Sequence, residues 1–380
     1  MDFLFSEDER LLQESVREFA RREIAPLAAE IDRTGVIPDR LILKMAEMGL
    51  MGISMPQGLG GAGMSTLCYA IALEEVAAAC GSTSTLMAVN NSLACWPLNR
   101  YGTSFQKERF LMDLTSGKKL GAFALTEAAA GSDAAHIQTE ARRVEDGFVL
   151  NGNKLFVSEG ARAGVVIVFA VTDREKGHKG LTAFITENGM KGFRVGRSEK
   201  KMGIRGSDAT EIILEDCFVP NEHLLGREGE GFKIAMETLD GGRISIAAQS
   251  VGLGRAAYEA ALDYARNRQQ FGRPLSDIQA IQFMLADCST ELDAARILTH
   301  RAATLKDEER RYAKESSMAK LYASEAANRI AYRAIQIHGG YGYTEEYPVE
   351  RIYRDARVTT IYEGTSEMQR LTIAKELLRS

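Results

Sequence analysis

Ala163-Gly164-Val165-Val166-Ile167-Val168-Phe169-Ala170-Val171 is the longest clearly apolar run in the chain. It is about half the ~20 residues that a helix needs to cross a bilayer. It reads instead as a buried strand. Its surroundings agree: Thr182–Thr186 and Glu211–Leu214 are β-branched or aromatic runs of strand length. Asp146-Gly147 and Asn151-Gly152 each separate short apolar segments, and such dipeptides supply the positive φ angles of tight hairpin turns. From about Gly121 to near Arg227 the sequence predicts an antiparallel β domain.

Helical patterning lies on both sides. Ser6-Glu7-Asp8-Glu9 forms a capping box, after which Leu11, Leu12, Val16, Phe19, Ala20 and Ile24 recur at helical spacing. Further helices are expected at Asp39–Met48 and, past a Gly-rich break, at Thr66–Ala79. Beyond Gly229 the pattern runs from Phe232 to Phe271, Asp277 to Lys306 and Arg311 to His338. Methionines within these runs are read as core filler. At roughly 150 residues per domain, 380 residues suggest two or three domains. The expected class is α+β, mainly α: a helical domain over 1–118, a β domain over 119–228 and a helical bundle over 229–380.

With 45% hydrophobic and 26% charged residues the composition is that of an ordinary globular protein. A net charge of −5 gives no reason to expect nucleic acid or an anionic membrane as partner. The acidic start MDFLFSEDER is unlike a secretory n-region. Five scattered cysteines and five dispersed histidines offer no disulfide framework, zinc set or other metal site. A cytoplasmic location is expected.

Gly58-Leu59-Gly60-Gly61-Ala62-Gly63 matches GxGxxG but follows Pro56 rather than a strand, so it is read as a flexible loop, not a dinucleotide site. Leu125-Thr126-Glu127-Ala128-Ala129-Ala130-Gly131-Ser132-Asp133 offers hydroxyls and approachable backbone N–H groups to a phosphate or heteroaromatic edge, or is a plain turn. Arg268 and Phe271, at a helix end, suit a pyrophosphate and an aromatic ring, or simply complement the helix dipole. Gln336-Ile337-His338-Gly339-Gly340 is a helix ending in bared glycine backbone, or an ordinary C-cap. In Ile361-Tyr362-Glu363-Gly364-Thr365-Ser366-Glu367 a carboxylate directly follows Val358–Tyr362, a segment expected to be buried, which would raise its basicity. Thr365 or Ser366 would cap the last helix.

In this order and at these separations, TExxxGSD, LDxxR, RxxFG, QxxGGxGY and YEGTS resemble the acyl-CoA dehydrogenase family over essentially the whole chain. The set looks nearest its short-chain, butyryl-like and branched-chain members, judging by Val89-Asn90-Asn91-Ser92-Leu93 and Leu239-Asp240-Gly241-Gly242-Arg243. The resemblance implies an N-terminal helical domain, a middle β domain and a C-terminal four-helix bundle. It further implies bound FAD, a homotetramer built as a dimer of dimers, α,β-dehydrogenation of an acyl-CoA thioester, and electron-transferring flavoprotein as acceptor.

Carried over by position, the resemblance makes Glu363 the base for the α-proton, with Tyr362 and Gly364 beside the acyl chain and thioester. The family's alternative base position is Gly242 here, which cannot take a proton. Arg243 is expected near the base and Asp240 near the CoA arm. Phe123, Leu125, Thr126, Gly131 and Ser132 are expected along the flavin, Ser132 also near substrate. Phe156, Val157 and Ser158 should face the flavin from the other side. There many members carry Trp and Thr, which leaves the flavin potential open. Arg268, Phe271, Gln279, Gln336, Gly339 and Gly340 match positions reaching the ADP half across a subunit boundary, and Thr365 and Glu367 complete the shell. Ala128 stands where a proline is common.

The nearest rival is an acyl-CoA oxidase reducing O2, which the chain's end shortly after Glu363 argues against; a non-catalytic flavin- or CoA-binding homologue is the other. No Arg for a distal carboxylate occurs in Thr83–Ser92, against a glutaryl-type decarboxylation. Some relatives acting on rings use an acid from the region that here reads Asn90-Asn91, which weakens a cyclic substrate. A short, branched or small cyclic acyl group is expected.

Overall fold

A computed structural model describes residues 5–379; the first four residues of the acidic N-terminal stretch, and Ser380, lie outside them. Helix α1 (Glu7–Phe19) opens with the expected capping box: the Glu9 N–H donates to Ser6 Oγ at 3.3 Å and the Ser6 N–H to Glu9 Oε2 at 2.8 Å. Helices α2 (Asp39–Glu47) and α3 (Thr66–Ala79) follow the apolar periodicity, and α3 is buried along most of its length.

Helix α4 (Gly81–Ala88) runs into a wider helical turn, Val89–Cys95. Two buried amides sit there. Asn90 accepts from the Gly121 N–H at 3.0 Å and donates to Met51 O at 2.8 Å and Leu114 O at 3.2 Å. Asn91 accepts from the Ile53 N–H at 3.0 Å and donates to Leu50 O and Met87 O at 2.8 and 2.9 Å. A buried amide left unpaired is costly, so both are committed to backbone cross-links. In the loop 58–63, expected to be flexible, Gly58, Gly60 and Gly63 are exposed while Gly61 is held against the preceding segment. The Gly61 N–H donates to Pro56 O at 3.1 Å, and a Cβ at Gly61 would strike the Met55 backbone.

The sheet comprises β1 (Leu120–Ala124), β2 (Glu140–Val144), β3 (Gly147–Ser158), β4 (Ala163–Val171), β5 (Leu181–Glu187), β6 (Phe193–Ser198), β7 (Ala209–Pro220) and β8 (Leu224–Leu225). Their order is β6-β7-β3-β2-β4-β5-β8, with β1 also on β4. Pairing is antiparallel except that β1 lies parallel to β4 and β2 meets β4 in parallel at Glu140↔Val171. The continuous apolar character of β4 now has a cause. Val165, Ile167, Phe169 and Val171 enter one apolar core while Val166, Val168 and Ala170 enter another, because successive side chains point to opposite faces.

The turn joining β2 to β3 ends at Gly147, with neither Asp146 nor Gly147 at a positive φ. Asn151-Gly152 is not a second hairpin. It lies within β3, where the register against β7 shifts between Leu150 and Gly152. Gly152 has φ 150°, and a Cβ there would lie 2.7 Å from Thr139 Cα. The glycine faces a bulge on β7: the two steps from Leu150 to Gly152 lie opposite the three from Cys217 to Leu214.

Five helices complete the fold: α5 (Gly231–Asn267), α6 (Gln279–Asp307), α7 (Ala313–His338), α8 (Val349–Arg357) and α9 (Ser366–Leu377). Helix α5 packs on α3, α6 and α7. Gly252 within α5 permits a close crossing with α3, since a Cβ there would meet Ala77 Cβ at 2.6 Å and clash with the Glu74 carbonyl. The architecture is N-terminal helices, a middle β-sheet and C-terminal helices, mainly α. Among the described residues no helix is long and apolar enough to cross a membrane.

Candidate active site

After α8 the chain makes one tight turn, Val358–Thr360, and reaches Tyr362-Glu363-Gly364 before α9. Glu363 has φ 52° and Gly364 φ 94°, so both stand in the left-handed region. The segment before the carboxylate is not the buried apolar stretch expected, since Ile361 is 49% exposed in this turn. Burial falls on the carboxylate instead: Glu363 Oε2 is inaccessible and accepts no hydrogen bond. A Cβ at Gly242 would clash with that oxygen and lie 3.2 Å from Leu93 Cδ2. Burial pushes Glu363 up to about 7, against the opposing pull of Lys320 and then Arg243.

Gly242, Ser245 and Gln249 lie three and seven residues apart on α5, on one face of the helix. Tyr69 donates to Ser245 Oγ at 3.1 Å, and Tyr362 donates its hydroxyl to Gln249 Oε1. Gln249 Nε2 reaches Gly81 O, Ser84 Oγ and Thr85 Oγ1 at 3.2, 2.9 and 2.8 Å. Arg243, also buried, pairs with Asp240 and donates to Ser317 Oγ at 3.4 Å, its Nε left without a partner. The fold thus gathers Asp240, Arg243, Tyr362, Glu363 and Gly364. Thr365 caps α9 at Met368 N–H, 3.4 Å, and Glu367 is exposed in the first turn of that helix.

A second group forms around β1 and β3. Glu127 and Ala130 exchange backbone hydrogen bonds of 3.1 Å, closing the loop between Leu125 and Ser132. The Glu127 carboxylate takes the N–H groups of Gln138 and Thr139 at 2.5 and 3.0 Å, Thr139 Oγ1 at 2.6 Å and Lys154 Nζ at 2.7 Å. Lys154, fully buried and pushed down to about 8 by burial, also donates to Leu125 O at 3.2 Å. The Leu155 N–H donates to Thr126 O at 2.8 Å. The loop is therefore fastened to the strand that carries Phe156, Val157 and Ser158. Phe123 is partly buried against Phe169, while Phe156 (φ 54°) is 64% exposed. Gly131 faces open space and Ser132 is exposed. An exposed aromatic face, the hydroxyls of Thr126, Ser132 and Ser158, and backbone open to approach fit a flavin's ring and polar edge.

Arg268, Gly339 and Gly340 form a third group. They line a cavity of about 490 Å³ with Tyr264, His338 and Tyr341, and the Arg268 guanidinium lies 5.5 Å from the Tyr341 ring centre. Phe271 (92% exposed), Gln279 and Gln336 stand at the surface outside that lining. Along α5, Gly242, beside Glu363, and Arg268, in this lining, are roughly 39 Å apart at 1.5 Å per residue.

Sequence reasoning passed over Lys154, Gln249 and Lys320. For Lys154 a signal existed: it shares the inward parity of Phe148 and Leu150 in β3, so a lysine there had to be buried and paired.

The family models described as acyl-CoA dehydrogenase N-terminal, middle and C-terminal domains match residues 6–118, 122–217 and 229–378. The mitochondrial short-chain specific acyl-CoA dehydrogenase of Mus musculus is 49% identical over 374 residues, 98% of this chain and 91% of that protein. The solved butyryl-CoA dehydrogenase of Megasphaera elsdenii superposes with a TM-score of 0.98 at 43% identity, covering 100% of both chains. An FAD complex of PigA superposes at 0.96 with 29% identity, again over 100% of both chains. With three family models in series along it and a relative 49% identical across 98% of its length, the chain belongs to the acyl-CoA dehydrogenase family.

Proposed function

We propose that this protein removes hydrogen from C2 and C3 of a short-chain acyl-CoA thioester, with Glu363 as base. The observation that carries the reading is the buried, unpartnered Glu363 Oε2, whose basicity burial has raised to about 7. A carboxylate so tuned is poised to accept a proton near neutral pH. The C2–H bond breaks with its proton moving to Glu363, while the hydrogen on C3 departs with its electron pair. FAD, when bound, supplies the two-electron acceptor for that hydride. The Glu363 backbone N–H, which donates to none of the described residues, is available to the thioester oxygen, where negative charge builds as the proton leaves. Gly364 leaves the thioester unobstructed.

The short-chain assignment is supported by the polar floor beyond Glu363. A longer acyl chain would have to displace the Tyr69–Ser245 bond or the hydrogen bonds of Gln249, all buried. The loop from Phe123 to Ser132 and the segment from Phe156 to Ser158 would hold the ring end of FAD, with Thr365 and Glu367 nearby. The ADP end requires Arg268, Phe271, Gln279, Gln336, Gly339 and Gly340 of a second copy, because roughly 39 Å of helix separates this chain's own set from Glu363. That supports the homotetramer, with cofactor and assembly linked. Electron-transferring flavoprotein is the acceptor we assign, over O2.

The test is anaerobic. Purified yellow protein is mixed with a panel of acyl-CoA thioesters and its flavin absorbance followed, beside Glu363→Gln. Bleaching by a four-carbon thioester in the wild type, abolished in the variant, is expected. Equal bleaching of both would refute the base assignment, and stoichiometric peroxide under air would favour an oxidase.

A further inference from the structure

Lys320, on α7, is fully buried and forms no ion pair with any described residue. Its ammonium instead donates to a neutral acceptor, the Gly364 carbonyl, at 2.7 Å. A second donor converges on the same oxygen from α9: Gln369 Nε2 lies 2.8 Å from Gly364 O and 3.3 Å from Glu363 O. Gln369 is also fully buried, with its own Oε1 unpartnered. A Cβ at Gly364 would stand 2.7 Å from that Nε2, so this approach needs glycine. The turn thus fastened is the one that places Glu363 in the left-handed region, which a residue with a side chain enters only at a cost in strain.

We infer that Lys320 is a positioning residue for the base. With Gln369 it clamps the carbonyls of the strained Glu363-Gly364 turn, and its uncompensated charge favours the ionised form of the Glu363 carboxylate. The inference rests on Glu363 being the base. It assigns Lys320 no contact with substrate.

The surrounding charges are few. Lys320 faces Glu363, Arg243, Glu325 and Glu367; Glu363 faces Lys320 and Arg243, with the phenols of Tyr69 and Tyr362 nearby. Arg243 is already engaged by Asp240, which leaves Lys320 as the unneutralised cation with the larger effect on Glu363. Burial holds Lys320 down to about 8, and the field of Glu363 resists that fall. Removing the charge therefore makes Glu363 harder to ionise, and a base that must be ionised to act loses activity at the acid end first.

The experiment uses FAD-loaded protein and the pH profile of kcat/KM with a four-carbon acyl-CoA. Lys320→Gln keeps an N–H donor but removes the charge. Its acid limb should move up by about one pH unit, so that kcat/KM at pH 6 falls about tenfold. Lys320→Arg keeps the charge, and its limb should stay in place even if kcat drops. Gln369→Leu removes the other clamp, so kcat should fall without movement of the limb. A Lys320→Gln protein that binds FAD and retains the wild-type limb overturns the inference. If that variant does not fold, Lys320→Arg decides: a limb in place upholds the inference, and a limb displaced upward despite the retained charge overturns it. A wild-type limb in Lys320→Gln beside an inactive Glu363→Gln sinks this inference alone, whereas an active Glu363→Gln sinks the base assignment beneath it.

Discussion

The carboxylate of Glu363 lies against Gly242 so closely that a side chain there would collide with it: a Cβ would clash with Oε2 and lie 3.0 Å from Cδ. The two positions compete for one volume. Gly242→Ala should therefore push the carboxylate aside. Since a displacement near 1 Å can cost about 100-fold, kcat is expected to fall on the order of 100-fold with flavin absorbance unchanged. Steady-state kinetics on the flavin-loaded variant check this, and kcat within about threefold of wild type would contradict it.

The acid limb of the wild-type enzyme follows from the same carboxylate. Glu363 accepts a proton only when ionised, and burial has raised its protonation to about 7. Activity should decline as pH falls through about 7 and be nearly gone two units below. A limb near 4, the ordinary carboxylate range, would show that Oε2 is solvated when substrate binds.

Much of this arrangement was legible in the sequence. The capping box at Ser6, the ends of α3 and the whole of β4 follow from local chemistry and periodicity, which act over a few residues. Glu363 was legible as a carboxylate in a motif, and Gly242 as a base position without a base. Their mutual exclusion was not, because it depends on how α5 meets the turn before α9. Asn151-Gly152 misled for a related reason: a glycine that supplies a turn and one that faces a bulge look alike until the neighbouring strand, here β7, fixes the register. Lys320 and Gln249 left no local signal, since their partners lie 44 and up to 168 residues away.

The Lys154–Glu127 pair tests the flavin loop. Glu127 accepts four hydrogen bonds and Lys154 fixes the Leu125 carbonyl, so Lys154→Met leaves a buried carboxylate without its cation. Breaking a buried pair on one side typically costs about 3–5 kcal/mol. The variant should unfold at lower denaturant concentration and release FAD more readily, with an affinity on the order of 100-fold weaker. Fluorescence of released flavin measures the second effect, and wild-type retention of FAD would detach this pair from the cofactor.

Gln249→Ala examines the polar floor. It removes an amide whose two N–H groups have three acceptors within reach, together with the acceptor of Tyr362, opening room beyond Glu363. A methylene in an apolar pocket is worth roughly 10-fold or more in selectivity. The ratio of kcat/KM for six-carbon over four-carbon acyl-CoA should rise by about that factor. An unchanged ratio would place the limit on chain length elsewhere.

Glu159 immediately follows the Phe156–Ser158 segment and is fully buried, with neither carboxylate oxygen hydrogen-bonded. Burial first, and then Asp208, push it up to about 8; Ser207, Arg162 and Lys201 only partly oppose them. In the unfolded chain it ionises near 4.3. Between those values the unfolded state has lost this proton while the folded state keeps it. The stability this group contributes is therefore fully present below about pH 4.3 and is lost as pH rises through about 8. Glu159→Gln has no proton to lose, so relative to wild type it should gain stability steadily from pH 5 to pH 8, by a few kcal/mol on the order-of-magnitude scale of such shifts. Urea unfolding of both proteins at pH 5, 6.5 and 8 measures the difference directly. A difference that does not grow with pH would mean that Glu159 finds partners, or water, in its buried site.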